Sequence, residues 1–192
     1  MTSSRLGMLA LVGSMLVMGC NGDATRDPAG DGAPPAPPVA DETPADAPRI
    51  DGRGIGPVRL GMTAEEVSGL AGARDTAWTD DEGMEARGVV APVNGAQVLA
   101  LVARDRVERI HLREPGPRTP EALGVGSTLG ELREAYGGPT AGEGHGRLVV
   151  WFDAFPGVSF QVEVPPGEEA YQLAGDPDAI PDGARVTELW VR

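Results

Sequence analysis

The stretch GMTAEEV at 61–67 and its near copy GSTLGEL at 126–132 decide the fold of this chain. In both copies a threonine is followed three residues later by a glutamate, which is the pattern of a helix that begins with a capping box. The offset between the copies is 65 residues. Gly72 and Gly137 can adopt the left-handed conformation that ends a helix. We therefore expect helices over 64–71 and 129–136, one in each half of the folded region.

Alternating apolar and polar residues follow each helix and predict three antiparallel strands in each half. Asn94-Gly95 lies between two of these runs and is a strong signal for a two-residue hairpin turn. The six predicted strands are 87–93, 96–103 and 106–113 in the first half, and 147–152, 158–164 and 185–191 in the second.

The last strands of the two halves also match each other, RVERIHL at 106–112 against RVTELWV at 185–191. Strict alternation places Val107 on one face with Arg109 and His111, opposite Ile110 and Leu112.

These patterns predict an α+β fold. We expect two repeats, each a short helix followed by three antiparallel strands, packed as one pseudo-symmetric domain over 49–192. The first repeat spans about 50–113 and the second about 119–192, with an inserted loop at 165–183 that is rich in proline, glycine and acids. A unit of this size would be marginal alone, so the two repeats are expected to share a core.

The beginning of the chain has the pattern of an export signal. Arg5 precedes a run of thirteen mostly apolar residues at 6–18, which is too short to span a membrane but suits a secretory signal. The sequence VMGC at 17–20 resembles the lipobox of bacterial lipoproteins. That resemblance implies a signal peptide at 1–19, cleavage before Cys20, and lipid attached to the Cys20 sulfur.

The segment at 20–48 is dominated by Pro, Ala and Asp, and we expect a disordered tether after the lipidated Cys20. Asn21, rather than Asp, follows the cysteine, which favours the periplasmic side of the outer membrane if the organism is Gram-negative. The expected location is therefore outside the cytoplasm, on a membrane bound through lipid.

A second resemblance rests on IGPVRLGMT at 55–63 and YGGP at 136–139. Similar segments open small outer-membrane assembly lipoproteins and the β-lactamase-inhibitor-like tandem-repeat proteins. The resemblance implies a protein partner bound through a sheet face, and it carries over no catalytic residue.

Charge and composition exclude several classes of partner and site. The net charge is −13, with no lysine, so nucleic acid is not an expected partner. A single cysteine allows no disulfide within the chain. His111 and His145 lack nearby partners at the spacing that zinc requires, and the acidic stretch at 176–182 resembles a solvated turn more than a calcium loop. We therefore expect no metal and no cofactor.

The segment Trp78-Thr79-Asp80-Asp81-Glu82 is the candidate partner-binding site, because it joins an aromatic anchor to three acids in an expected loop. The alternative is a turn whose tryptophan folds back on the core. Trp151, Phe152, Phe155 and Phe160 are interpreted as core or sheet-face residues.

No set of nucleophile, base and orienting residue is visible in the sequence, so no catalytic residue is assigned. The leading hypothesis is a lipid-anchored, non-enzymatic protein-binding module of the cell envelope. Two alternatives stay open, an inhibitor of a secreted enzyme and an envelope hydrolase that uses acids such as Asp80 and Asp81.

Overall fold

The computed structural model describes residues 49–79, 83 and 85–192. The expected signal peptide, Cys20 and the expected tether lie outside the described residues, and so do Asp80, Asp81 and Glu82. Within the described part of the chain, no helix is long and apolar enough to cross a membrane.

The described chain contains eleven strands, three α-helices and one short 3₁₀ helix at Pro177–Ala179. The strands are β1 (Ile50–Asp51), β2 (Gly54–Ile55), β3 (Val58–Arg59), β4 (Arg74–Thr79), β5 (Glu85–Val93), β6 (Ala96–Ala103), β7 (Arg106–Leu112), β8 (Thr140–Gly144), β9 (Arg147–Trp151), β10 (Val158–Val162) and β11 (Val186–Val191). The helices are α1 (Ala64–Ser68), α2 (Leu129–Tyr136) and α3 (Ala170–Gly175).

Two antiparallel sheets organise these strands. β1, β2 and β3 form a small sheet in sequence order. The other eight strands form a large sheet in the order β4-β5-β6-β7-β11-β10-β9-β8. The strands of the first half of the domain therefore occupy one side of the large sheet, those of the second half occupy the other, and β7 meets β11 at the centre. The expectation of an α+β fold is confirmed.

The two predicted capping boxes are present. Thr63 accepts a hydrogen bond from the backbone N–H of Glu66, whose carboxylate accepts from the Thr63 N–H in return. Thr128 and Glu131 make the same exchange at the start of α2. Both helices begin where the sequence predicts, because the cap is a local feature of four residues.

The predicted strand count was wrong, because each half contributes four strands to the large sheet rather than three. The sequence analysis missed β4 and β8, both of which lie at the edges of the sheet. Edge strands pair on one side only and are exposed, so they need no strong apolar alternation. β8, for example, has the sequence TAGEG.

Two other predicted boundaries were also wrong. α1 ends at Ser68 with Gly69 as its C-cap, three residues before the predicted end. The loop expected at 165–183 contains α3, which presents the buried Ala170 and Leu173 to the core.

The hairpin between β5 and β6 turns at Asn94-Gly95 as predicted. Both residues have positive φ, 47° for Asn94 and 81° for Gly95, which is the requirement of a type I′ turn. At the turns Arg104-Asp105 and His145-Gly146, both residues also have positive φ angles.

A β-bulge in β7 changes which side chains face the core. The pairing of β6 with β7 shifts register between Leu101 and Val102, which leaves Glu108 as an extra residue. Val107 is therefore buried in the core, and the prediction that it shares a face with His111 was wrong.

β11 contains the corresponding irregularity. Its pairing with β10 shifts between Gln161 and Val162, which leaves Thr187 as the extra residue. Beyond this bulge, Glu188 and Trp190 both lie on the face that does not contribute to the core.

The hydrophobic core lies between one face of the large sheet and a layer made of the three helices and the small sheet. Phe152 and Phe160 are core residues, as the sequence suggested, and Phe155 packs against them from a half-buried position. The small sheet contributes the buried Ile50, Ile55 and Val58. Burial of this apolar surface is the main force that holds the layers together.

Candidate binding cavity

The face of the large sheet opposite the helices carries a different set of side chains, and we call it the open face. Leu101 and Val149 lie on it, buried but outside the main core. Every helix residue buried in the described chain belongs to the core on the other side. One row of the open face crosses all eight strands, from β4 to β8: Arg74, Val90, Leu99, His111, Trp190, Ser159, Trp151 and Thr140.

A cavity of about 470 Å³ lies on the open face. This volume is in the range of about 300–1,000 Å³ that small-molecule sites occupy. All three tryptophans and both histidines of the chain line it. The lining residues are Trp78, Arg109, His111, Gly142, Glu143, Gly144, His145, Arg147, Val149, Trp151, Trp190 and Arg192.

The cavity exists because the large sheet curves strongly. Trp78 is on β4, three strands away from His111 on β7. The β4 residue in the same row as His111 is Arg74, so Trp78 lies four residues beyond that row. In a flat sheet their Cα atoms would be about 20 Å apart. The two ring centroids are 5.8 Å apart. The edge strand therefore bends over the centre of the open face and closes one side of the cavity.

Two glycines leave room for this curvature. A Cβ atom on Gly88 of β5 would lie 2.8 Å from the Leu99 side chain and 2.9 Å from that of Thr76. A Cβ atom on Gly142 of β8 would lie 3.2 Å from the Trp151 ring. The absence of side chains at these positions lets neighbouring side chains approach the backbone closely.

His111 lies at the centre of the cavity wall, between two indole rings. Trp78 is tilted 54° to its ring, and Trp190, its direct partner on β11, is tilted 42° at 5.6 Å. His111 is 4% exposed. The imidazole is therefore nearly fully buried.

Glu188 orients the imidazole. Its carboxylate is 2.6 Å from Nδ1 of His111 and 3.1 Å from Nε of Arg113. Burial raises the pKa of Glu188, but the hydrogen bond from His111, the nearby Trp190 N–H and the Arg113 charge outweigh it and lower the pKa to about 2. The Trp190 N–H does not meet hydrogen-bond geometry. Glu188 is therefore a carboxylate at neutral pH, and Nδ1 of His111 donates to it.

The other imidazole nitrogen has no partner. Nε2 of His111 is buried and makes no hydrogen bond within the described residues. A buried polar atom without a partner costs about 1–3 kcal/mol. In a folded protein such an atom is usually satisfied by an ordered water, an ion or a ligand.

Arg109 and Arg192 give the cavity positive charge. Both side chains line it, and both residues are exposed. Neither forms an ion pair with a described carboxylate. The chain as a whole carries a net charge of −13, so two arginines on one cavity are a local concentration of positive charge.

The structure describes only the first two residues of the predicted partner-binding segment, Trp78 and Thr79. Trp78 lies in β4 rather than in a loop, and it is half-buried with its ring on the cavity. The neighbouring Asp80, Asp81 and Glu82 and the predicted lipidation site Cys20 lie outside the described residues.

Sequence reasoning missed most of this site. Trp151 was predicted to be a core or sheet-face residue, and it lies on a sheet face. The prediction did not include Trp190, Glu188, Arg109 or Arg192 as site residues. The sequence did contain one indication of the site, because alternation beyond Glu108 and beyond Thr187 places these side chains on one face of each strand. The bulges and the sheet curvature that bring the strands together cannot be inferred from the sequence of one strand.

No group of three or more acidic, histidine or cysteine side chains suited to a metal ion occurs among the described residues. The acidic stretch at 176–182 is used structurally, since Asp182 pairs with Arg133 of α2.

Comparison with known proteins gives a fold and no function. The fold is similar to that of the uncharacterized protein yfeY from Escherichia coli, known from a crystal structure, with a TM-score of 0.54 and 15% identity. The similarity covers 75% of this chain and 99% of that one. No family model matches this chain, and no curated protein matches it.

Proposed function

We propose that this protein is a non-enzymatic binding module, displayed outside the cytoplasm on a lipid anchor, that holds a small ligand in the open-face cavity. One observation carries the proposal: all three tryptophans of the chain surround a single cavity. Indole rings give a large contact area at low entropic cost and are enriched where binding energy is concentrated. Here they lie on the face that no helix of the described chain covers.

The shape of the site favours a small ligand over an extended protein interface. A stable protein interface buries about 800 Å² on each partner and is usually broad. The open-face cavity is concave and has the volume of a small-molecule site. A protein partner, which the resemblance to assembly lipoproteins implies, would need contacts beyond the cavity.

Intrinsic fluorescence tests the proposal directly, because every tryptophan of the chain lines the cavity. The probe is N-phenyl-1-naphthylamine, which is uncharged. We expect saturable energy transfer from the tryptophans, and an affinity about tenfold lower in Trp151→Ala. Tyr171→Ala is the matched control, since Tyr171 is 63% exposed and lies outside the cavity lining. Equal binding by all three proteins would place the probe elsewhere and contradict the proposal.

The lipid anchor is supported by the sequence at 1–20 alone. Two or three acyl chains hold a protein stably on a membrane, which one chain does not. We expect radiolabelled palmitate to appear on the wild-type protein and not on Cys20→Ser. A wild-type protein without label would refute the anchor.

We also propose that the domain arose from a tandem repeat. Thr63 bridges to Arg106 and Thr128 bridges to Arg185, so each cap residue contacts the start of the last strand of its half. Both arginines then donate to a glycine carbonyl two residues before the cap, at 2.8 and 3.1 Å. The matching bulges at Glu108 in β7 and Thr187 in β11 support the same reading.

A second candidate function is an envelope hydrolase, and the Glu188–His111 pair is the observation that favours it. A histidine oriented by a carboxylate is the usual general base of hydrolytic enzymes. No serine, threonine or cysteine lines the described cavity to act as its nucleophile. Release of 4-nitrophenolate from 4-nitrophenyl acetate, lost in His111→Gln, would favour the enzyme; no release above background favours the binding module.

A further inference from the structure

Arg109 and Arg192 lie side by side across the centre of the large sheet. Ile110 of β7 pairs with Val191 of β11, so Arg109 and Arg192, one position beyond this pair, come opposite each other. His111 and Trp190, one position to the other side of it, form the neighbouring pair on the same face as the arginines. The two guanidinium groups therefore stand next to the buried histidine and its indole neighbour.

Two like charges in direct cross-strand contact destabilise a sheet by about 0.2–1 kcal/mol. Two described acids lie near the pair, and neither forms an ion pair with it. Glu188 binds His111 and Arg113. Glu143, which also lines the cavity, accepts a hydrogen bond from the backbone N–H of Gly146 at 2.7 Å. Among the described residues, no carboxylate is therefore paired with Arg109 or Arg192.

An anion is the group that this arrangement fits. Two arginines present a set of planar donors that match the oxygens of a carboxylate or a phosphate. Charge-assisted hydrogen bonds of this kind are about twice as strong as neutral ones. Nε2 of His111, buried without a partner in the adjacent pair, is a further polar group at the same place.

The walls beside the arginine pair fit a flat, weakly polar body. Trp190 adjoins the pair, and Trp151 lies in the same row two strands away. Gly142 leaves the Trp151 ring against the backbone of β8, so the cavity is not filled at that side. A ring attached to the anionic group would contact these indoles.

We infer that the open-face cavity binds a small anionic ligand, with its carboxylate or phosphate held between Arg109 and Arg192 and an attached ring packed against Trp190 and Trp151. The inference rests on the proposed function and names the chemical class of its ligand. An acidic sugar or a ring-bearing phosphate has this combination of groups.

Three probes that share one aromatic group separate charge from stacking: 4-nitrophenyl glucoside, 4-nitrophenyl glucuronide and 4-nitrophenyl phosphate. Each quenches tryptophan fluorescence when bound. We expect at least one of the two anions to bind about tenfold tighter than the neutral glucoside. The preferred anion identifies carboxylate or phosphate as the group that the arginines select.

The variants then locate the anion. Arg109→Ala and Arg192→Ala should each reduce binding of the preferred anion about tenfold and leave that of the glucoside unchanged. Arg53→Ala is the matched control, because it removes the same charge from an exposed turn of the small sheet. Affinity for the anion should also fall as salt rises, since the arginines are exposed.

The outcomes distinguish this inference from the proposed function. If all three probes bind equally, and Trp151→Ala weakens them while Arg109→Ala does not, the cavity stands and the anion inference falls. If none of them quenches the tryptophans at millimolar concentration, the anion inference falls as well, and the result for the uncharged N-phenyl-1-naphthylamine decides the proposed function alone.

Discussion

The two faces of the large sheet differ in what holds their side chains in place. On the helical face, residues such as Ile110, Leu112 and Leu189 are fully buried against other apolar groups. On the open face, His111 and Glu188 are also buried, but they are held by indole rings, by the hydrogen bond between them and by the ion pair of Glu188 with Arg113. The same strands carry both sets. The helical face holds the apolar core, and the open face, which no described helix covers, holds the cavity of the proposed ligand.

The largest expected effect tests that division with two aromatic truncations. Phe160→Ala removes a fully buried ring that packs against Phe152 and Phe155, and it should lower the free energy of unfolding by about 3–5 kcal/mol. Trp151→Ala removes a larger but half-buried ring from the open face and should cost less than half as much. Urea denaturation measures both. Equal losses would mean that the open face is part of the core.

The ion pair on the open face predicts a pH dependence. The pKa of Glu188 is lowered from 4.5 to about 2, so its contribution to folding is fully present above pH 4.5 and is lost as pH falls towards 2. The free energy of unfolding of Glu188→Gln should therefore change less with pH in this window than that of the wild type.

Thermal or urea unfolding at several pH values checks this prediction. Other carboxyl groups with lowered pKa values, such as Glu66 and Glu131, respond in the same direction in both proteins, so the difference between the curves isolates Glu188. Parallel curves for wild type and variant would show that the carboxylate is not held by His111 and Arg113.

The helix caps sharpen the comparison on the other side of the sheet. Thr63→Ala and Thr128→Ala each remove one capping hydrogen bond and should each cost about 1 kcal/mol. Binding of the cavity probes should not change. Denaturant titration gives the cost, and serine at either position, which keeps the hydroxyl, should restore most of it. A loss of probe binding in the alanine variants would contradict the separation of the two faces.

The smallest effect on stability is expected from Gly142→Ala. Gly142 lies on the edge strand β8, and its Cβ atom would press on the Trp151 ring of β9, which must move by a few tenths of an ångström. We expect a loss of about 0.5 kcal/mol or less, with a clear change in tryptophan emission and weaker probe binding. Gly144→Ala, where a Cβ meets no atom within 4 Å, is the control.

The sequence predicted the features of the helical face that depend on neighbours along the chain. Caps at Thr63 and Thr128 and the turn at Asn94-Gly95 are encoded in two to four consecutive residues. Long apolar alternation located the central strands to within about two residues. Three predictions stay proposals: the pseudo-symmetric repeat of the two halves, the lipid on Cys20 and the export of the domain.

The open face could not be assembled from the sequence, because its site depends on cross-strand register. His111 and Glu188 are separated by 77 positions and meet only through the pairing of β7 with β11. The bulge at Glu108 places Val107 in the core, and the residue types in that segment do not predict a bulge. The edge strands β4 and β8 lack the apolar alternation that predicts a strand. Trp78 of β4 was therefore predicted to lie in a loop.

The pairing of β7 with β11 covers three residue pairs, whereas β5 and β6 are joined by seven. The two four-stranded sides of the sheet are thus joined by its shortest central ladder. Arg109 belongs to one side and Arg192 to the other, so a molecule that bridges them is a cross-link between the sides. Occupancy would therefore slow the exchange of the amide hydrogens in this ladder with solvent, and it would leave those of the edge strands unchanged.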